Sequence, residues 1–471
     1  MALRKCEHSI IGIPGRLKGI SGGEMKRLSF AAEVLTNPPL LFCDEPTSGL
    51  DSFMALNVVQ VLRAMAQTGK TVVCTVHQPS SELYAMFDKL LLMAEGRVAF
   101  LGTPEEAHEF FASLGAPCPR NYNPADYFIH LLAVIPGKEE SCKQAIAMIC
   151  DSFERSDLGV KMVVDSATMT ADSECSESDI WINGRKRNSR YKASWFAQFK
   201  ALLWRSWLSI LKEPLLIKVR LLQTIMIALV LVAIYYGQEL NQEGVMNING
   251  VLFMFLTNMT FQNIFAVTHV FCSELPVFLR EHGNGMYRTD VYFLTKTMAE
   301  MPIFIFIPIL FTCVCYYLIG LNPEWNRFLT SCGIVTLIAN ISISFGYLVS
   351  CLSGSISMAM SIGPPLIIPF MLFGGFFLNI NSIPVYLEWL SYLSWFKYGN
   401  EALLVNQWRN VTGIYCPVNS TVCPPNGHVV LETLSFSEEN LPLDIISLFS
   451  LLVIFRLAAF LALLWRSSKQ A

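Results

Sequence analysis

The lengths of the apolar runs divide the chain into two parts. In the first 190 residues the runs are short, as in Leu40–Cys43 and the β-branched stretch Thr71–Thr75, and runs of this length are typical of buried strands. From residue 217 onward the runs reach about 20 residues, the length that a helix needs to cross a bilayer. The pattern therefore predicts an α/β part followed by an all-α membrane part.

Capping residues mark the helix starts in the first part. Ser21 and Glu24 form an S-x-x-E capping box, which predicts a helix from about Gly22 to Leu35. Asp51 precedes a second predicted helix, which ends near Gly69. The other predicted elements are a hairpin of Lys89–Met93 and Arg97–Leu101 and a helix opened by Thr103-Pro104.

Six membrane spans are predicted, and the distribution of cations orients them. Lysine and arginine are concentrated before the first span, between the second and third, and after the sixth, whereas residues 380–442 contain only Lys397 and Arg409. By the positive-inside rule, both termini then lie in the cytoplasm and 380–442 is a large extracytoplasmic loop. The spans are placed at about residues 217–237, 249–272, 293–319, 327–352, 356–379 and 443–465.

The predicted outer loop contains features of an extracytoplasmic segment. Asn410 and Asn419 begin N-x-T sequons and are predicted glycosylation sites. Cys416 and Cys423 lie close enough in sequence to form a local disulfide. The N-terminus has no apolar core of a signal peptide, so internal spans are expected to direct membrane insertion.

Composition agrees with the membrane assignment and excludes other classes. Charged residues make up 15% of the chain and hydrophobic residues 53%, against about 25% charged in a typical soluble protein. The net charge of −3 gives no indication of a nucleic-acid partner. The fourteen cysteines include no C-x-x-C pair, so neither a zinc site nor a disulfide framework is predicted.

Two acids at the end of the first predicted strand are the main candidates for chemistry. Asp44 and Glu45 follow Leu40–Cys43 directly, and ligands of open α/β sheets bind at the carboxyl ends of strands. Asp44 is suited to hold Mg²⁺ through water, and Glu45 to polarise an attacking water, as phosphoryl transfer requires. The acids alone leave a purely structural role open.

Four motifs in order resemble those of an ABC transporter ATPase. ISGGE at 20–24 resembles the signature motif and LLFCDE at 40–45 the Walker B strand. SGLD at 48–51 resembles the D-loop, and TVHQP at 75–79 the switch-histidine segment. The resemblance implies ATP and Mg²⁺ as cofactors, with Glu45 and His77 as catalytic residues and Asp44 on the metal.

The same resemblance implies a nucleotide shared between two subunits. Ser21, Gly22 and Gly23 would contact the γ-phosphate of a nucleotide held by the partner, and Asp51 would also belong to the nucleotide site. A plain capped helix is the alternative interpretation of Ser21–Glu24. No G-x-x-x-x-G-K-[ST] Walker A sequence occurs in the chain. We therefore expect an N-terminally truncated gene model or short isoform, with a genuinely short protein as the alternative, and exposed apolar faces on the remaining ATPase part.

The order of ATPase then membrane domain resembles the G subfamily of ABC half-transporters. The expected architecture is a partial α/β ABC ATPase domain followed by an all-α, six-span, type II exporter-like domain. Its expected segments are 1–136 for the C-terminal part of the nucleotide-binding domain, 137–190 for a flexible linker, 191–215 for an amphipathic connecting helix and 216–471 for the membrane domain.

In the membrane domain the resemblance nominates further residues. A coupling loop with Arg280, Glu281 and His282 would dock on the ATPase domain, or would simply be a solvated loop. Glu300 and Arg456 are either functional or close enough to span ends to snorkel. The nominated substrate pocket is Asn258, Phe261, Ile368 and Met371, with Phe376 and Phe377 as its gate, although ordinary helix packing explains these residues as well.

The resemblance implies an ATP-driven half-transporter that dimerises with itself or a sister G-subfamily subunit. The expected cargo is a small pigment precursor derived from tryptophan or guanine, and the expected location a pigment-granule, endolysosomal or plasma membrane. The alternatives are a sterol or lipid exporter of the same subfamily and a catalytically incapable regulatory or dominant-negative partner.

Overall fold

The chain folds as two compact units, Met1–Ser189 and Arg190–Ala471, which are described separately. The computed structural model describes residues 3–12, 18–35, 38–180, 191, 193–212, 214–378, 383–415 and 424–470. The predicted glycosylation site Asn419 and the predicted disulfide partners Cys416 and Cys423 lie outside the described residues.

The first unit contains two small sheets. Strands β1 (Leu40–Cys43) and β2 (Thr71–Cys74) pair in parallel, with Cys43 opposite Cys74. Strands β3 (Leu90–Ala94) and β4 (Arg97–Gly102) form an antiparallel hairpin. The helices are α1 (Gly22–Val34), α2 (Ser52–Gln67), α3 (Ser81–Tyr84), α4 (Pro104–Ser113), α5 (Pro124–Leu131), α6 (Glu139–Arg155) and α7 (Asp157–Ile180).

Local capping accounts for these helix starts and confirms the predicted elements. The Ser21 hydroxyl accepts from the Glu24 amide while the Glu24 carboxylate accepts from the Ser21 amide, the reciprocal pair of a capping box. The Asp51 carboxylate accepts from the Met54 amide at 2.7 Å and begins α2. Thr103 and Glu106 form a second capping box at α4.

The parallel pair is covered on one face only. Leu41 and Cys43 are buried against α2, whereas the alternate residue Phe42 is 73% exposed. Val73 of β2 is also exposed, so an apolar face of the strand pair is open, as expected from the sequence. The hairpin instead has a closed aromatic core that includes Phe100, Phe111 and Phe128.

Residues 139–155, inside the segment expected to be a flexible linker, form a packed helix. Helix α6 buries Ile146, Ile149, Cys150 and Phe153 in the hairpin core. These positions follow the i, i+3, i+4, i+7 spacing of one helix face, a stripe that the surrounding charged residues conceal in the sequence. Arg97 of β4 holds the helix with ion pairs to Asp151 at 2.7 Å and Glu154 at 2.8 Å. The hairpin and α6 therefore form one packed body.

In its described part the second unit consists of helices and connecting loops, with two isolated β-bridges. Five of its described helices are long and apolar enough to cross a membrane: α9, α10, α11, α12 and α17. The predicted fifth span contains only the 17-residue helix α13, about 25 Å long, so the predicted count of six is not confirmed. The helices are α8 (Trp195–Lys212), α9 (Pro214–Ile234), α10 (Gln242–Gly283), α11 (Thr289–Ile319), α12 (Trp325–Leu352), α13 (Ile356–Leu372), α14 (Glu388–Ser391), α15 (Trp395–Trp408), α16 (Gly427–Thr433) and α17 (Leu441–Gln470).

The predicted outer loop contains a buried helix. Trp395 and Trp408, at the two ends of α15, are fully buried, and each indole N–H has a partner. Trp395 donates to the Thr260 hydroxyl at 3.1 Å and Trp408 to the Asn249 amide oxygen at 2.7 Å, so α15 is fastened along α10. Much of 380–442 is therefore core of the membrane unit, which the loop interpretation did not anticipate.

Replacing Phe153 by Ala should destabilise the first unit by about 3–5 kcal/mol, because the fully buried ring fills the hairpin core. The matched control is Met148→Ala on the same helix, where the side chain is 60% exposed and little should change. Thermal unfolding of the purified protein measures both. Equal midpoints for the two variants would indicate that α6 is not docked.

Candidate functional site

The two predicted catalytic acids lie where the parallel strands end together. Asp44 and Glu45 follow β1, and Thr75 follows β2. The Thr75 hydroxyl donates to Asp44 Oδ1 at 2.6 Å and accepts from the Glu45 amide at 2.9 Å. One threonine thus fixes both acids, whose side chains are exposed at the carboxyl edge of the sheet. This is the edge at which an open α/β sheet binds its ligand.

A lysine from α1 fixes the turn that follows. Lys26 Nζ donates to the carbonyl of Glu45 at 2.8 Å and to that of Ser48 at 2.6 Å. Glu45 itself has φ +43°, in the left-handed region that non-glycine residues seldom adopt. Such a conformation persists only where its surroundings hold it, and Lys26 and Thr75 supply that support. Sequence reasoning assigned a site role to neither residue: Lys26 lies within α1, and Thr75 was noted only as the start of the TVHQP segment.

The signature residues are joined to this turn through α1. Gly23 packs so closely that a Cβ there would meet Leu50 Cδ2 at 3.0 Å, whereas a Cβ at Gly22 would meet nothing within 4 Å. Hydrogen bonds from the Ser21 backbone and hydroxyl lower the pKa of Glu24, which keeps the capping box ionised. The structure therefore brings the α1 N-terminus and the acid turn into one assembly.

Two other residues predicted for the nucleotide site, Asp51 and His77, lie at a helix cap and on the surface, respectively. One carboxylate oxygen of Asp51 accepts a hydrogen bond from the Met54 amide and caps the start of α2. His77 is exposed, three residues beyond the end of β2.

The acids suit a metal that is held partly by other ligands. Asp44 and Glu45 supply the carboxylate oxygens that Mg²⁺ prefers, and Mg²⁺ usually keeps waters and nucleotide phosphates as its other ligands. Within the described part of the chain no cluster of three or more His, Cys, Asp or Glu could form a complete protein cage. The donor set therefore fits a hydrated or nucleotide-bound Mg²⁺.

At the end of α10 in the second unit, α8 is fastened to the predicted coupling loop. Arg205 of α8 forms an ion pair with Glu281 at 2.9 Å and donates to the Tyr287 hydroxyl at 3.3 Å, and Tyr287 donates to Glu281. Burial raises the pKa of Tyr287, so its hydroxyl keeps the proton that it donates. We call Arg205, Glu281 and Tyr287 the latch.

The loop makes further contacts with α8. The Trp195 indole donates to Asp290 at 3.1 Å, and the Gln198 side chain accepts from the Arg288 amide at 3.1 Å. His282, nominated for the docking surface, is instead buried, with Nδ1 donating to the Tyr287 carbonyl at 3.1 Å and its ring stacked on Phe278. Of the three nominated residues, only Arg280 has an exposed side chain.

Lys296 and Glu300 are paired inside the helix bundle, whereas Arg456 donates to a neutral hydroxyl. Glu300 forms an ion pair with Lys296 at 2.9 Å and accepts from the Tyr347 hydroxyl, and Lys296 also pairs with Glu274 at 2.6 Å. The Glu300 side chain is only 12% exposed, because it lies between helices of the bundle. Arg456 donates to the Thr297 hydroxyl at 3.3 Å.

The nominated pocket residues lie on α10 and α13, which contact each other. The Asn258 side-chain nitrogen is buried without a hydrogen-bond partner, and the Phe261 ring stacks on Phe265. Ile368 is 44% exposed, whereas Met371 packs against the core.

The nominated gate residues follow α13. The ring centroids of Phe376 and Phe377 lie 4.6 and 5.4 Å from that of Phe253 on α10. The predicted glycosylation site Asn410 is exposed just past α15.

Comparisons with known proteins agree with this arrangement. A sequence profile described as "ABC-2 type transporter" matches residues 197–408, and a second with the same description matches residues 77–150. Protein white of Drosophila melanogaster is 58% identical over 100% of this chain and 68% of its own length. The Caenorhabditis elegans ABC transporter ATP-binding protein/permease wht-1 is 42% identical over 99% of this chain and 71% of its own length.

A more distant relative is the broad substrate specificity ATP-binding cassette transporter ABCG2 of Mus musculus, 30% identical over 99% of this chain and 74% of its own length. The matches extend across both units, from the acid turn to the last helix. Together with the five apolar helices, they identify the chain as a multi-pass integral membrane protein. The chain belongs to the white-type G subfamily of ABC transporters, whose half-transporters move substrates across membranes at the expense of ATP.

Proposed function

We propose that this chain is one subunit of an ATP-driven transporter that moves small pigment precursors, derived from tryptophan or guanine, across a membrane. The main support is the 58% identity to Drosophila protein white along the whole chain, nearly twice the identity to mouse ABCG2. We propose a sister G-subfamily half-transporter as the partner and a pigment-granule, endolysosomal or plasma membrane as the location. A sterol or lipid exporter of the same subfamily is the competing function.

The proposed division of labour at the acid turn rests on its geometry. Glu45 polarises the attacking water and Asp44 holds a hydrated Mg²⁺, which neutralises charge on the phosphates when bound. His77 contacts the γ-phosphate, and the N-terminus of α1 meets a nucleotide held by the sister subunit. The support is that Thr75 and Lys26 fix the acid turn from both sides, because positioning supplies most of the catalysis in phosphoryl transfer.

The latch is proposed to transmit the ATPase cycle to the membrane helices. It joins α8 to the end of α10, and α10 continues as one helix of 42 residues past Phe261 and Asn258. A shift of the coupling loop would therefore move the nominated substrate helix directly. The domain boundaries at 190 and 215 are proposed as the limits of these functional parts.

The cargo is tested by transport into vesicles that contain the chain and its sister subunit. We expect ATP-dependent uptake of labelled kynurenine or guanine, and no uptake of labelled sterol above the level without ATP. Sterol uptake alone would favour the competing exporter function. Uptake of neither pigment precursor would refute the proposed cargo.

Glu45→Gln should lower the ATPase rate of the purified dimer by about 10²-fold or more, because the amide cannot act as a general base. Glu95→Gln is the matched control. Glu95 also has a positive φ, of +48°, but it lies in the turn between β3 and β4 and not at the ends of β1 and β2. Phosphate release at saturating ATP measures both. The same change in the sister subunit shows whether the two acids contribute equally, and a dependence on the sister's acid alone would mean that this chain is the incapable partner.

Arg205→Glu should lower transport at least fivefold while the ATPase rate is retained, because the latch would place two carboxylates together. The pair is worth about 1 kcal/mol or less in stability, since both side chains are partly exposed. The swapped variant, Arg205→Glu with Glu281→Arg, should regain transport. Lys200→Glu on the exposed face of α8 is the control. A swap that recovers nothing would contradict a role for the ion pair.

A further inference from the structure

Two side chains from the start of α15 are bonded to the backbone that leads from α13 to the nominated gate. The Ser394 hydroxyl, at the N-cap of α15, donates to the Phe370 carbonyl at 2.6 Å. The Asn400 side chain donates through Nδ2 to the Gly374 carbonyl at 2.8 Å. The last carbonyls of a helix have no partner within the helix, so Ser394 supplies one that the end of α13 needs. Helix α15 thus holds the gate segment from the side.

The backbone between α13 and the gate makes a close-packed turn. A Cβ at Gly374 would meet Phe253 Cε2 and Phe396 Cβ, each at 3.0 Å, so α10 and α15 both approach this backbone. Gly375 has φ +76°, a conformation that residues with a side chain rarely adopt. We call Gly374 and Gly375 the joint, because a change in their dihedral angles reorients the gate without disturbing the helix before it.

Beyond the joint, the gate rings lie against α10. The Phe376 ring is stacked on Phe253 with an interplanar angle of 11°, and Phe377 meets the same ring edge-on, at 90°. The centroid of Phe253 lies in turn 6.1 Å from that of Phe396 on α15. The gate and α15 therefore share one aromatic cluster, and the gate rings cannot leave Phe253 unless the joint moves.

Asn400 is only 1% exposed, but just half of its amide is satisfied. Its Nδ2 has the Gly374 carbonyl, whereas its Oδ1 is buried and has no hydrogen-bond partner in the described part of the chain. A buried acceptor without a partner destabilises the arrangement that contains it. The bond from Nδ2 and the unpaired Oδ1 therefore act in opposite directions, and a movement of the joint that admits water would satisfy both atoms.

We propose that Asn400 is a positioning residue that holds the gate shut and releases it during transport. In the shut arrangement its bond to Gly374 keeps the joint in place and the gate rings on Phe253. When cargo leaves the pocket between α10 and α13, this bond opens, the joint turns and the rings move off α10. The inference rests on the proposed transport function and the nominated gate. It assigns control of the exit to α15, on the side that the charge distribution places outside the cytoplasm.

The test measures access to the pocket from the outer side, which does not depend on the identity of the cargo. A reporter cysteine, Ile368→Cys, is labelled with a membrane-impermeant maleimide in vesicles where the outer side of the dimer faces the medium. The same dimer without the reporter gives the background. Asn400→Leu keeps the branched shape of the side chain but cannot donate. Labelling per assembled dimer should become about fivefold faster, the change in an equilibrium that the loss of one hydrogen bond produces.

Asn406→Leu is the matched control on the same helix. Asn406 is also buried, and its Nδ2 donates to the Arg327 carbonyl at 2.8 Å and to the Ser331 hydroxyl at 2.9 Å, both on α12 and not on the gate segment. This variant should lower the yield of assembled dimer, but its labelling rate per dimer should stay within about twofold, because separate sites act independently. If Asn400→Leu fails to assemble, Ser394→Ala removes the other bond to the gate segment and should also accelerate labelling.

Two results would overturn the role of Asn400. The first is no acceleration in the assembled variant, or an equal acceleration in Asn406→Leu, because the bond would then be merely structural. The second is rapid labelling of the reporter in the dimer with Asn400 intact, because the gate would then not close the pocket. Failure of the proposed function is distinguishable from both: absence of uptake refutes the proposed cargo, whereas only the labelling rates refute the role of Asn400.

Discussion

A charge buried in an apolar medium is costly unless it is paired, and Lys296 and Glu300 of the membrane unit meet this constraint by pairing with each other. Lys296 lies between Glu274 and Glu300, and Glu300 accepts the hydroxyl of Tyr347. These residues belong to α10, α11 and α12, and Arg456 brings in α17 through Thr297. Removing one partner of a buried pair costs about 3–5 kcal/mol because it leaves an uncompensated charge. The network therefore holds the four helices in one packing arrangement. A movement of one helix that broke these contacts would be costly, so the helices are expected to move together.

In the first unit, hydrogen bonds between neighbouring elements position the acid turn. Two parallel strands end at the same level, so the residues after them meet across the sheet edge. Thr75 and Lys26 then hold the backbone of Glu45 in the left-handed region, which non-glycine residues seldom adopt. The left-handed φ of a catalytic candidate is thus supported by neighbours from β2 and α1. Preorganisation of this kind is what allows a carboxylate to act without first rearranging.

The sequence predicted those parts of the fold that depend on nearby residues. The start of α1 at Gly22, the span of α2 and the strand Leu40–Cys43 follow from caps and short apolar runs, and all three agree with the structure. Prediction failed for segments whose structure is determined by contacts with residues distant in the sequence. Helix α6 is ordered by its packing on the hairpin, and α15 is buried because Trp395 and Trp408 find partners on α10. At the site the acid pair could be predicted from its motif and Glu281 from the resemblance. The contacts of Lys26, Thr75, Arg205 and Tyr287 could not, since no local pattern indicates which distant residue a side chain will meet.

Arginines at the same end of the membrane unit show how partners determine the role of a charge. Arg205 faces the carboxylate of Glu281, so its charge is compensated and its effect is mechanical. Arg466 instead donates to the carbonyls of Cys351 and Ser353 at the end of α12, so it meets neutral partners. Of these two arginines, Arg205 therefore joins α8 to the coupling loop, and Arg466 joins α17 to the end of α12.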